Sequence, residues 1–174
     1  MNANRTRFEA QVLPHLDAAF RLALALSRSR SDAEDVVQEA LLRAFRGIDR
    51  LRGTDAKAWL LTIVRNCFFT ARERLQKQAP LSLNEARIED MALPQEFEPE
   101  NASVLEDRKL ALGAVLNELS EEHREILVLR EVEDMSYREI AVIANLPIGT
   151  VMSRLARARL AFRELWLAQH GAVQ

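Results

Sequence analysis

Apolar residues recur along this chain at the three- and four-residue spacing of a helix face. Val12, Leu16, Phe20 and Leu24 form one such stripe and predict an amphipathic helix, with Pro14 near a break or kink. Ser31 followed by Glu34 reads as a capping box that opens a helix through DAEDVVQEALLRAF, burying Val36, Ala40 and Phe45 or their neighbours. A polar connector, RGIDRLRGTD, leads to a helix from about Asp55 to Leu75. The period is then lost in QAPLSLNEARIEDMALPQEFEPENAS, where Pro80, Pro94 and Pro99 mark a linker. Beyond it, Ser103 with Glu106 reads as a second capping box, for a helix to about Asn117. Ser120 caps a helix through Arg130, and Ser136 with Glu139 forms a third box for YREIAVIA. Asn145, Leu146 and Pro147 end that short helix, and a longer one follows from about Ile148 to Ala168. The expectation is an all-α protein of two small helical domains, residues 1–77 and 103–174, joined by a linker over 78–102.

Composition supports this: aromatics are sparse, Gly and Pro number five each, and Ala, Leu, Arg and Glu dominate. One cysteine, Cys67, excludes an internal disulfide framework, and three dispersed histidines make no sequence-level metal site. No cofactor is implied, and a reducing cytoplasm fits best. The longest apolar runs, LALAL at 22–26 and AWLLTIV at 58–64, fall far short of the ~20 residues that span a bilayer. The N-terminus lacks the apolar core of a signal peptide, so no membrane insertion is expected.

The near-neutral total conceals a partition. Residues 1–77 hold 14 Lys and Arg against 9 Asp and Glu, residues 78–108 hold 2 against 8, and residues 109–174 hold 8 against 9. The linker is therefore an acidic bridge. Within the last block, residues 109–146 carry 8 acids and 4 bases, whereas residues 147–163 carry Arg154, Arg157, Arg159 and Arg163 and no acid. Any attraction to nucleic acid in that block is confined to the last helix. There Val151, Leu155, Ala158, Phe162 and Leu165 fall on one apolar stripe, leaving Ser153, Ala156 and Arg157 opposite, with Met152 and Arg159 to one side and Thr150 and Arg154 to the other. Two helices joined by a tight turn, the second one basic, make a helix-turn-helix suited to the major groove.

Residues 119–159, LSEEHREILVLREVEDMSYREIAVIANLPIGTVMSRLARAR, closely resemble region 4 of the extracytoplasmic-function (ECF) group of the bacterial sigma-70 family. DAEDVVQEALLRAF and AWLLTIVRN, residues 32–45 and 58–66, resemble region 2. The resemblance implies a factor that binds core RNA polymerase, directs it to promoters and supports strand opening. Docking on the beta-prime clamp helices would fall to Asp35, Val36, Gln38, Glu39 and Leu42, with further contact to the beta subunit. The minus-ten element would be met by Arg52, Lys57, Arg65, Asn66 and Arg72, Asn66 helping to line a flipped-base pocket. Trp59 shares an apolar stripe with Ile63 and reads as core instead. The minus-thirty-five element would be read by Thr150, Met152, Ser153, Arg154, Ala156 and Arg157. Met152 departs from the usual Arg of the family's GTVxSR pattern; it can touch a thymine methyl but donates no hydrogen bond. The resemblance also implies a cognate anti-sigma factor, and a linker that runs near the polymerase active channel.

Three other readings stand beside this one. A stand-alone helix-turn-helix regulator would explain the last two helices but not the docking helix. A sigma mimic that titrates an anti-sigma factor draws slight support from Met152. An enzyme would need Cys67 as its thiol nucleophile, yet Cys67 lies inside a helix beside Phe68 and Phe69 with no sequence-local base, and reads as structural.

Overall fold

The structure, a computed structural model, describes residues 2–53, 55–78 and 103–171, and all regular structure among them is helical. The linker reading of 78–102 lies, apart from Gln78, outside the described residues. Helix α1 covers Asn2–Gln11 and α2 covers Leu16–Ser27, separated by a 3₁₀ turn at Leu13–His15 that holds Pro14, where a missing N–H costs nothing. The break is where the sequence puts it, but the buried face is not. Helix α2 buries Ala18, Ala19, Leu22, Ala23, Ala25 and Leu26, whereas Leu16 is exposed and Phe20 and Leu24 only line the core edge. Alanines on this face let α2 approach its neighbours closely, and the bulkier stripe is pushed to the flank.

Helix α3 (Arg30–Arg46) starts earlier than the Ser31–Glu34 pairing predicts. Arg28 ends α2 in the left-handed region (φ 57°), and the hydroxyl of Ser29 accepts the N–H of Asp32 at 3.3 Å as the cap. Glu34 pairs with Arg30 instead, at 2.9 Å. Helix α3 buries Ala33, Val36, Val37, Ala40 and Ala44; Phe45 faces outward and meets Phe8 of α1 edge-on at 5.3 Å. A 3₁₀ turn at Ile48–Arg50 and a short connector lead to α4 (Ala56–Gln78), whose first turn is capped by Asp55 accepting from the N–H of Ala58 at 3.1 Å. Helix α4 buries Ala56, Ala58, Leu60, Leu61, Val64 and Cys67, and Trp59 and Ile63 pack on the margin of the same core, as the apolar stripe predicts.

In the second block, α5 (Ser103–Glu118) begins at Ser103 itself; the side chains of the proposed Ser103–Glu106 box lie outside what is described. Ser120 caps α6 (Glu121–Leu127) by accepting the N–H of His123 at 3.3 Å. The chain then widens into a π turn over Val128–Val132, closed by Glu133 N–H to the Val128 carbonyl at 2.9 Å. The Ser136–Glu139 capping box forms as predicted at the start of α7 (Tyr137–Ala144). Asn145 adopts the left-handed conformation (φ 53°), and Leu146 N–H reaches back to the Ala141 carbonyl at 2.9 Å while Asn145 N–H bonds Val142 at 3.3 Å. This Schellman arrangement, followed by Pro147, turns the chain through 98° into α8 (Ile148–His170).

Both blocks contribute to one contiguous core. Helices α2, α3 and α4 pack on one another, α6 and α7 on α8, and the two sets meet where α2 faces α6 and α4 faces α7. No single helix among the described residues is long and apolar enough to cross a membrane. The turn that aims α8 depends on a residue that tolerates positive φ. Asn145→Ala should lower unfolding stability by about 1 kcal/mol, and Asn145→Gly by less than that, in paired thermal or urea denaturation.

Candidate nucleic-acid interface

Helix α8 presents its amino-terminal half outward across the turn. Val151, Leu155 and Ala158 are buried against α6 and α7, which leaves Met152, Ser153, Ala156 and Arg157 fully on the open face. Thr150 is half-buried, and its carbonyl accepts the Ser153 hydroxyl at 3.1 Å. The Arg157 guanidinium folds along the helix to the Ser153 carbonyl at 3.3 Å, an exposed contact that a phosphate or guanine edge can replace. Met152 is 53% exposed and projects a soft apolar surface where the neighbouring side chains are polar.

Arg154 differs from the reading of it as an open DNA contact. Three residues after Val151, it sits at the edge of the buried stripe, only 17% exposed, and its guanidinium pairs with Glu122 of α6 at 3.3 Å. Its Nε is buried without a hydrogen-bond partner. Arg159, on the other side, is tied to Glu131 at 2.6 Å.

The outer face of α3 carries Asp35, Gln38 and Glu39, all exposed, with Leu42 and Phe45 adding an apolar ridge at 48% and 45% exposure. Val36 does not belong to it. At 7% exposure it faces α2 and the core, because residues 33, 36, 37, 40 and 44 form the inward stripe. Glu39 is held by Arg43 at 2.6 Å, which orients its carboxylate along the open face.

Of the five polar candidates in and before α4, Arg52, Asn66 and Arg72 are exposed and Lys57 and Arg65 are half-buried. The three cations of α4 face the second block. Lys57, Arg65 and Arg72 lie seven to eight residues apart on one side of α4, and each meets an acid: Glu133 at 3.0 Å, Glu125 at 2.5 Å and Glu121 at 2.5 Å. Arg65 and Arg72 also flank the ring of Phe69, with guanidinium carbons 4.5 and 4.9 Å from its centroid, a cation–aromatic ladder within α4. The sequence offered no reason to single out Phe69 before its two arginines were seen to bracket it.

Glu133 anchors the contact. Its carboxylate is fully buried, takes two hydrogen bonds from Arg21 at 2.6 and 3.1 Å, and pairs with Lys57, which also donates to the Glu133 carbonyl at 2.7 Å. Burial works to raise its pKa, but the hydrogen bonds from Arg21 and Lys57 outweigh it and hold the carboxyl below the ordinary glutamate range. At Glu125 the balance reverses: burial pushes the carboxyl up by more than Arg65 pulls it down. Arg124 lies buried across the same seam, donating to the carbonyls of Ala25 and Leu119, and burial followed by the charge of Arg28 lowers it to about 10, so it stays protonated at neutral pH. Arg28 itself reaches the Leu119 carbonyl at 2.8 Å.

Two families match this chain: residues 12–78 match Sigma-70 region 2, and residues 109–162 match Sigma-70, region 4. The ECF RNA polymerase sigma factor SigE of Mycolicibacterium smegmatis is 32% identical over 169 residues, 92% of this chain and 62% of that relative. The RNA polymerase sigma-H factor of Pseudomonas aeruginosa is 31% identical, spanning 90% of this chain and 84% of the relative. The ECF RNA polymerase sigma-E factor of Escherichia coli is 36% identical over 134 residues, 74% of this chain and 70% of the relative. Among solved structures, the sigma factor RpoE in complex with the anti-sigma factor NepR, from Bartonella quintana, superposes with a TM-score of 0.66 at 33% identity, covering 91% of this chain and 95% of that one. CnrH in complex with the cytosolic domain of CnrY gives 0.64 at 24% identity, over 96% and 92%, and shares the fold.

Because the folded pKa of Glu133 is depressed, its stabilising contribution is present above the ordinary glutamate range and is lost as pH falls below about 4. Glu133→Ala should cost about 3–5 kcal/mol at pH 7, towards the lower end because Arg21 and Lys57 both reach solvent. In thermal melts from pH 8 to pH 3, the gap between variant and parent should narrow only at the acid end.

Proposed function

The chain belongs to the ECF group of the sigma-70 family, a family of transcription initiation factors, and from that membership we propose how its surfaces share the work. As an alternative sigma factor it binds core RNA polymerase, directs it to promoters and supports strand opening, without covalent chemistry of its own. The outer face of α3, with Asp35, Gln38, Glu39 and Leu42 joined by Phe45, docks on the beta-prime clamp helices, and region 4 meets the beta subunit. Its mix of acids and exposed apolar side chains suits a basic, grooved partner. Val36 supports that face from beneath.

Helix α4 and the connector before it meet the minus-ten element. Arg52, Lys57, Arg65 and Arg72 hold the backbone of the unpaired strand, and Asn66, whose amide can satisfy a base edge, lines the pocket for a flipped base. Helix α8 reads the minus-thirty-five element through Thr150, Met152, Ser153, Ala156 and Arg157. Arg154 contributes from its pairing with Glu122, as a guanidinium held beside the groove. The observation that carries this reading is the open, acid-free face of α8 standing across a 98° turn, with a second cationic helix on the other block of the same chain.

The superposed RpoE of Bartonella quintana is a sigma factor bound to an anti-sigma factor, NepR. A cognate anti-sigma factor, covering polymerase- or DNA-binding faces, is proposed here too, with the protein acting in the cytoplasm and no membrane insertion.

Run-off transcription with core enzyme plus this protein, on a library of promoters from the source genome, tests the central claim. Promoter-dependent transcripts are expected, and their absence from every template would sink it. Met152→Arg adds one cation at the groove, so its binding to duplex promoter DNA should steepen the dependence of log affinity on log salt by about 0.9. The same change should alter the ranking of upstream elements in a competition panel; an unchanged ranking removes Met152 from the specificity set.

A further inference from the structure

The cations on α4 proposed to hold the unpaired strand are the ones that the second block covers. From this we infer that region 4 is an internal competitor for the single-strand face of region 2: Glu121, Glu125 and Glu133 take the places of backbone phosphates on Arg72, Arg65 and Lys57, so that the free protein masks its own minus-ten face. The inference rests on the reading of α4 as that face.

Register carries the argument. The three cations fall on one side of α4, spaced eight and seven residues apart, and the three acids meet them in the reverse chain order, Glu133 on Lys57, Glu125 on Arg65 and Glu121 on Arg72. A row of negative oxygens along a row of cations is the arrangement a nucleic-acid backbone presents. Arg65 and Arg72 both brace the Phe69 ring on their own helix, and one movement of α6 would release the two arginines together. The remaining seam is built to release. Arg72 and Glu121 are 43% and 30% exposed and open to screening by salt, whereas the buried Glu133 hub fixes the register. Arg52 and Asn66 stay exposed, so the masking falls on strand capture and spares the rest of the site. Since both halves belong to one chain, a strand must compete with acids held at high effective concentration.

Removing the outer two acids tests this on the full chain. Glu121→Gln with Glu125→Gln is compared with the parent and with a charge-matched control, Asp107→Asn with Glu164→Gln, whose positions are exposed and outside the seam. Binding of fluorescein-labelled oligo(dT) of 12 nucleotides is followed by anisotropy from 0.05 to 0.4 M NaCl. The seam variant should bind at least tenfold more tightly than the parent at the lowest salt, with the control within threefold. Its log affinity should fall with log salt more steeply than the parent's by about 1.4, or 0.7 for each of two uncovered phosphate contacts. Equal affinity in seam variant and control overturns the inference. If circular dichroism shows the double variant misfolded, Glu121→Gln alone serves, at a half-exposed pair, and a gain no larger than that of Glu164→Gln overturns it equally. Run-off transcription with core enzyme on the same preparations separates the two claims. A parent that initiates from promoters while the seam variant gains nothing on oligo(dT) removes the masking and leaves the sigma reading intact. A seam variant that gains affinity while neither protein initiates from any promoter removes the sigma reading and leaves the masking.

Discussion

One buried carboxylate fixes how the two halves of this protein stand to one another. Glu133 has no exposed side-chain surface, and an ion there is tolerated only because Arg21 gives it a two-pronged pair and Lys57 supplies a third cationic contact from another helix. The π turn at Val128–Val132 and the reversal at Asp134, with φ 54°, deliver the carboxylate to that point. Once it is set, α6 lies along α2 and α7 lies along α4, and the apolar seam closes around it. The other ion pairs across the seam, Arg65 with Glu125 and Arg72 with Glu121, continue from it along α4.

The same constraint separates the two surfaces proposed to meet DNA. Helix α8 projects from the far side of α7, and the seam leaves its exposed face free. Helix α4 is the wall of the seam, where Lys57, Arg65 and Arg72 meet acids of the second block. The two helices proposed to read promoter DNA are therefore unequally available in one and the same conformation, although both carry a cationic face. Arg124 makes the seam harder to open than its surface pairs suggest, because its buried guanidinium keeps the Leu119 carbonyl of its own block but loses the Ala25 carbonyl when the blocks part.

Charge placement within the second block acquires a reason from this geometry. Acids before α8 are engaged by cations: Glu122 holds Arg154, Glu131 holds Arg159, and Glu121, Glu125 and Glu133 hold the first block. The basic face of α8 is thereby narrowed from four arginines to the exposed Arg157 and Arg163, beside the apolar Met152.

Local chemistry was legible in the sequence wherever neighbours along the chain decide it. The Ser136–Glu139 box, the Asn145-Leu146-Pro147 turn, the Ser120 cap, the break at Pro14 and the inward stripe of α8 all depend on residues within about one or two helical turns of each other. So did membership of the family, since its two motifs are contiguous stretches. The same approach misplaced the start of α3, because the left-handed Arg28 moved the cap to Ser29. It placed Val36 and Ala40 inward correctly but turned Phe45 inward as well, because which of two adjacent apolar stripes is buried is settled by what packs opposite, and alanines on α2 admit the slimmer one. Tertiary structure alone decided that Lys57, Arg65 and Arg72 meet Glu133, Glu125 and Glu121, residues 49 to 76 positions away. A side chain's charge is written in its own residue, but its partner is fixed by where a distant helix comes to rest, and that depends on burying one carboxylate among three helices.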